Sequence, residues 1–248
     1  PQALLDPFMS WHPTWQSASR WMYEGATYPL KPIPEEIRLR EIKAALEYGN
    51  HKSSRIHSEF LVAKLQKEVE NGWQLPLTID GLLGIKDSFV SPIGVQEQPK
   101  LNQDGSRTPA KRATHDLSTA SNREWSINDR VAKEELNPLV YGFAFLRFVH
   151  QIVALRLRYP DIPLLLSKSD LKAAFRRFQS RGPLAAQTAI TTKGLGPLSD
   201  QESEDPIALV ALRLTFGGAP NPSLFCSMSE AITDLANAVS SCPNWDPA

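Results

Sequence analysis

The segment Ser169-Asp170-Leu171-Lys172-Ala173-Ala174-Phe175 directly follows the apolar run Leu164-Leu165-Leu166. A carboxylate at the C-terminal end of a buried strand is fixed by rigid backbone and projects into a cleft, which suits a hard divalent cation such as Mg²⁺. Standing alone, Asp170 would more simply cap the helix that follows it. It does not stand alone. Upstream, Lys111-Arg112-Ala113-Thr114-His115-Asp116-Leu117-Ser118 puts a guanidinium on a strand face. Downstream, Leu214-Thr215-Phe216-Gly217 ends a strand, and Pro222-Ser223-Leu224-Phe225 opens a helix.

Other chemistries find no support. His12, His51, His57, His115 and His150 form no zinc spacing, and no Ser/His/Asp arrangement emerges. Cys226 and Cys242 are too few for a disulfide framework, which fits a reducing compartment. The acidic run Asp200, Glu202, Glu204 and Asp205 lies in a Pro/Gly-punctuated stretch and reads as a solvated loop. Gly194-Leu195-Gly196 lacks the rest of a phosphate-loop pattern.

These residues need elements to place them. Pro34 opens a helix with Glu35 and Glu36 at its positive end and Gly49 closing it. Before it lies an aromatic, Pro-punctuated stretch that reads as an extension or connector. A second helix runs from a Ser58 cap through Leu61, Leu65 and Val69 to Asn71-Gly72. Ile93 to Leu101 and Lys111 to Leu117 form a hairpin around Asp104-Gly105. An apolar helix spans about Leu139 to Tyr159, interrupted by Arg147 and His150; a buried helix is the expectation, not a membrane span. Leu164 to Leu166 reads as a strand, and Leu171 to Phe178 turns toward helix. Ala185 to Ile190 and Ile207 to Leu214 are further strands, and Pro222 to Val239 is the last helix. Strands and helices without regular alternation indicate an α+β protein.

The set resembles the reverse transcriptases of LTR and related retrotransposons, including the gypsy-type and tyrosine-recombinase groups. Their palm opens with Asp-Leu-Lys-x-x-Phe/Tyr, matched by Asp170, Leu171, Lys172 and Phe175. Their next motif, Leu-Pro-Phe-Gly-x-x-x-x-Pro-x-x-Phe, is matched by Leu214, Phe216, Gly217, Pro222 and Phe225, with Thr215 for the first proline. Their fingers carry Arg-x-x-x-Asp, matched by Arg112 and Asp116, with Leu117 and Ser118 following. Glu70-Asn71-Gly72-Trp73-Gln74 resembles the entry to the fingers. The match runs in order over roughly residues 58–240, and order with spacing is what makes it specific.

The resemblance implies a partial right-hand polymerase fold: an N-terminal helical extension over 1–54, a fingers-like region over 55–160 and a partial palm over 161–248. It implies template-directed transfer of deoxynucleotides onto a primer 3′-hydroxyl, with Mg²⁺ or Mn²⁺ and an RNA or DNA template-primer. Asp170 would be the catalytic metal ligand, and the Leu171 carbonyl would help hold the nucleotide-side metal. Arg112 would contact the triphosphate, with Lys100 or Lys111 as a second cation, because a planar guanidinium fork donates to phosphate in pairs. Phe175 would lie under the sugar and exclude a ribose 2′-hydroxyl, unless it is simply a core ring. Phe216 and Gly217 would floor the nucleotide pocket. Asp116 is expected to be structural, while Lys172, Arg176 and Arg177 would face nucleic acid or form a solvated face. The family's Tyr/Phe-x-Asp-Asp hairpin does not occur before Ala248, and the chain starts without methionine, so it reads as an incomplete domain that is inactive alone.

The bulk numbers are compatible with this. The chain has 248 residues, 42% of them hydrophobic, enough for one large core or two modest ones. Net charge is zero, but residues 100–182 hold 15 Lys/Arg against 8 Asp/Glu, while 183–248 hold 2 against 7. A basic middle third would supply salt-sensitive phosphate contacts or merely a solvated face. An intracellular location, cytoplasmic or nuclear, with no membrane partner is expected. Two other readings stay open: a non-catalytic nucleic-acid-binding remnant of a retroelement, and an unrelated helical interaction protein.

Overall fold

The computed structural model describes residues 2–102, 104–120, 124–139, 144–166, 171–195 and 206–243. In chain order the helices are α1 (Gln2–Met9), α2 (Trp15–Glu24), α3 (Glu35–Tyr48), α4 (Lys52–Ile56), α5 (Ser58–Glu70), α6 (Ile79–Leu83), α7 (Ala144–Arg158), α8 (Gly182–Gln187) and α9 (Asn221–Ser240). The strands are β1 (Gln74–Thr78), β2 (Ile93–Leu101), β3 (Arg107–His115), β4 (Ile190–Thr191) and β5 (Ile207–Ala211). They form two small antiparallel sheets, β1-β5-β4 and the β2-β3 ribbon, so the fold is mixed α and β.

Local signals account for several elements. Pro34 precedes α3, Glu35 pairs with Arg38 in the first turn, and Gly49 closes the helix at φ 73°. A positive φ there favours glycine because no Cβ meets the backbone. The ribbon turns where Asp104 Oδ1 accepts from the Ser106 amide at 2.9 Å and hydroxyl at 2.6 Å, with Gly105 at φ 82°. β5 is the hub of the larger sheet. Its residues alternate between two cores: Ala208 and Val210 face a main cluster with Trp15, Phe89, Leu117, Leu214 and Leu224, while Leu209 faces a second cluster with Leu61, Leu65, Ile93 and Ile190. A strand buried on both faces reads as a continuous apolar run, as Ile207 to Ala211 does.

The N-terminal stretch packs into the main cluster through Met9, Trp15, Ala18, Ala26 and Tyr28. Ala26 also exchanges backbone hydrogen bonds with the 179–181 segment, at 2.7 Å from its own amide to Gln179 O and 2.9 Å from the Arg181 amide. Tyr28 donates its buried hydroxyl to Asn221 Oδ1 at 2.5 Å, and burial pushes that phenol well above its ordinary range. A Cβ on Gly218 would overlap this hydroxyl.

Four expectations need correction. Leu164 to Leu166 form no strand, and Leu165 and Leu166 are exposed. Both edges of β5 are already occupied, by β1 and β4, and a three-residue apolar run has no periodicity to decide its fate. The apolar helix exists as α7, but it is not buried: Phe145, Leu146, Phe148, Val153 and Leu157 are all at least half exposed. Composition forms the helix, whereas burial needs a facing element. Ala185 to Ile190 is divided between α8, started by Pro183 in its first turn, and β4. Finally, Leu171 to Phe178 does not continue as an α-helix; it forms a single 3₁₀ turn over Ala174–Arg177.

Candidate functional site

The β2-β3 ribbon sorts the expected cations by face. Gln96 lies opposite Arg112 and Gly94 opposite Thr114, while Glu97 lies opposite Lys111 and Val95 opposite Ala113. Side chains alternate along a strand and directly opposed residues share a face, so Lys100, Gln96, Arg112 and Thr114 line one side. Lys111 lies on the other, with Val95 and Ala113, which pack on the second core. Lys100 pairs with Thr108, four residues from Arg112, which places the two cations on the order of 13 Å apart along the ribbon.

At the root of the Arg112 face lies a cavity of about 300 Å³, lined by His51, Ser53, Gly94, Gln96, Thr114, Asp116, Ser118 and Gly217 among others. Asp116 organises its rim. Its Oδ1 accepts from the amides of Ser118 at 3.1 Å and Thr119 at 3.0 Å, and its Oδ2 from the Thr119 hydroxyl at 2.6 Å. His51 Nε2 adds a contact to Oδ2 at 3.0 Å, and the Tyr48 hydroxyl lies 3.2 Å from His51 Nδ1. Partial burial pushes the Asp116 carboxyl up, but the hydrogen bonds from Thr119, Ser118 and His51 outweigh it and hold the group below the usual carboxylate range. Asp116 thus orders a turn.

Gly217 meets this rim directly. It has φ 106°, and a Cβ there would overlap the carbonyl oxygen of His115. Asn128 fastens the corner: its Nδ2 donates to Gly217 O and Ser118 Oγ, both at 2.8 Å, and its Oδ1 accepts from the Ala219 amide at 2.8 Å. Next to Gly217, half-exposed Phe216 stands edge-on to Phe175, with ring centroids 5.1 Å apart. Phe175 also meets Phe225 at 5.7 Å and packs partly buried against the main core.

Behind Phe175 lies a charged network that sequence reasoning missed. Arg176 was expected on a nucleic-acid or solvated face, and this is corrected: it is buried and donates to Glu68 Oε2 at 2.7 Å. Glu68 also accepts from Gln74 Nε2 at 3.2 Å and lies 3.3 Å from Lys64 Nζ. Arg176 Nη2 approaches His115 Nε2 at 3.3 Å. A guanidinium only donates, so Nε2 accepts and the proton of a neutral ring sits on Nδ1, which is buried with no partner among the described residues. Burial, followed by the Arg176 and Lys64 charges, holds the His115 imidazole well below its ordinary range. Burial also lowers the Arg176 guanidinium, with Glu68 opposing. The clue was the alternation along β3, which turns His115 inward with Ala113; nothing local pointed to Glu68, which is 108 residues from Arg176.

The sites divide as follows. Phe175, Phe216 and Gly217 are brought together, and Gly217 abuts the strand that carries Arg112. Leu171 is exposed at the start of its described segment. Asp170, the expected catalytic and metal residue, lies outside the described residues, as do Asp200 to Asp205. Among the described residues no group of three His, Cys, Asp or Glu side chains is placed to hold a metal ion, so an Mg²⁺ assignment rests on Asp170. No helix among them is long and apolar enough to cross a membrane. Compared with known protein families, curated proteins and solved structures, the chain matches none.

Proposed function

We propose that the chain is the fingers and first part of the palm of an RNA-directed DNA polymerase. The observation that carries this reading is the junction of three separately recognised motifs: Gly217 seated on the strand that bears Arg112, with Phe216 edge-on to Phe175.

In this reading, Arg112 and Lys100 draw the triphosphate onto one ribbon face, with Arg112 forking onto its oxygens. Phe175, held between Phe216 and Phe225, fills the space beneath the sugar and rejects a 2′-hydroxyl. The Phe216-Gly217 corner lets backbone approach the nucleotide closely. Asp170 and the Leu171 carbonyl would hold Mg²⁺ or Mn²⁺, which neutralises the charge that builds on the phosphates when the primer 3′-hydroxyl displaces pyrophosphate. RNA or DNA template-primer and deoxynucleoside triphosphates are the corresponding partners, and an intracellular site of action, cytoplasmic or nuclear, goes with them.

The test is template-directed primer extension by the full reading frame in which this chain lies. Asp170→Asn is expected to abolish extension while leaving template-primer binding in place. Extension at the unsubstituted rate by Asp170→Asn would end the proposal.

A further inference from the structure

We propose that Arg176 is a positioning residue: its buried bridge to Glu68 and His115 holds the Ala173–Arg177 turn against α5 and β3 and thereby sets where the Phe175 ring stands. The use of that ring as a sugar gate rests on the polymerase reading. Its placement by Arg176 does not.

Three observations converge on this turn. Ala173 has φ 55°, a left-handed conformation that L side chains rarely adopt and that persists where surrounding contacts over-determine it. The turn is one 3₁₀ turn long, too short to hold itself by its own hydrogen bonds. The residue that fastens it from within is Arg176, which is 8% exposed. It reaches Glu68 of α5 at 2.7 Å, His115 of β3 at 3.3 Å and the carbonyl of Arg213, just beyond β5, at 3.4 Å. One guanidinium therefore spans three segments distant in sequence, and its planar fork fixes orientation as well as distance. Phe175 precedes it by one residue. A change in the backbone angles of the turn carries the ring with it, away from Phe216 and Phe225. Arg177, the other arginine of the turn, is exposed and, among the described residues, bonds locally to Lys172 O at 3.1 Å, which makes it the natural control.

The experiment uses the 248-residue chain labelled with 4-fluorophenylalanine, with the Phe175 resonance identified by its loss in Phe175→Leu. Edge-on neighbours make that resonance sensitive to small ring displacements. Arg176→Met and Glu68→Gln are each expected to shift or broaden the Phe175 signal, Arg176→Lys to restore part of the original position, and Arg177→Met to leave it unchanged. Breaking a buried pair leaves an uncompensated charge, so Glu68→Gln combined with Arg176→Met removes both charges and keeps the test usable if a single variant fails to fold. A Phe175 signal that stays in place in a cooperatively melting Arg176 variant overturns the proposal. In the full reading frame, Arg176→Met is expected to lower discrimination between deoxy- and ribonucleotides by up to about 100-fold, the scale of loss that a misplacement of about 1 Å can cause. A displaced signal with undiminished discrimination upholds the positioning and overturns the gate assigned to Phe175.

Discussion

The backbone of Gly217 lies against the carbonyl oxygen of His115, so closely that any side chain at 217 would occupy the oxygen's place. The contact joins the corner beyond β5 to the end of β3, and thus the larger sheet to the ribbon. Gly217→Ala must both adopt a positive φ and push β3 away. A loss of about 2–4 kcal/mol is expected from strain plus overpacking, read by urea denaturation. The cavity lined by Asp116 and Gly217 should open at the same time. A loss below about 1 kcal/mol would show that the two segments are not held in contact.

His115 gives the fold an acid-sensitive lock. Its folded-state value is held well below 6.5 by burial and the Arg176 and Lys64 charges, so the native state favours the neutral ring. The unfolded chain takes up a proton as pH falls through its ordinary value of about 6.5, and the folded chain does not. Stability contributed by this group is complete above that pH and declines as pH drops from there toward the depressed folded value. Unfolding free energy measured from pH 7.5 to 5 should therefore fall, and His115→Gln should flatten the slope in that window. Asp116, whose folded value is also depressed, acts in a separate range below about pH 4. An unchanged slope in His115→Gln would remove the assignment.

Local chemistry made much of the scaffold legible. Pro34, the Glu35-Glu36 pair and Gly49 delimit α3, Asp104-Gly105 marks the ribbon turn, and the Ile/Val/Leu run marks β5, because each signal acts within a few residues. Phe175, Phe216 and Gly217 were singled out by resemblance and not by local chemistry, and the first two lie edge-on to one another. What could not be read depends on distant partners. Arg176 looks like a surface residue until Glu68 arrives from 108 positions away, and Tyr28 meets Asn221 across 193. Leu164 to Leu166 join neither sheet, and the exposure of α7 depends on what does or does not face it. Neither fact is written in the segment itself.

Ala173 offers a direct probe of strain in the turn that carries Phe175. Its φ of 55° costs an L residue roughly 1–2 kcal/mol, whereas glycine adopts it freely. Glycine also raises the entropy of the unfolded chain, which offsets part of the gain. Ala173→Gly is thus expected to stabilise the protein by about 0.5–1 kcal/mol, measured by thermal and chemical denaturation. Destabilisation would mean that the alanine methyl packs more than the backbone strains.

The two faces of the ribbon separate the candidate cations. Arg112 and Lys100 share the face that leads to the Gly217 cavity, while Lys111 lies on the face of Val95 and Ala113. All three side chains are exposed, so replacing them should leave stability nearly unchanged. Loss of a charge-assisted fork to phosphate should raise the apparent KM for deoxynucleotide by about 10- to 100-fold in Arg112→Ala, measured in the full reading frame. Lys100→Ala should raise it less, because an ammonium acts as a point charge without the fork. Lys111→Ala should change it less than either, since its side chain starts from the wrong side of the strand. If Lys111→Ala proved the most damaging of the three, the triphosphate would have to approach from the Val95 face, and the assignment of Arg112 and Lys100 would fall.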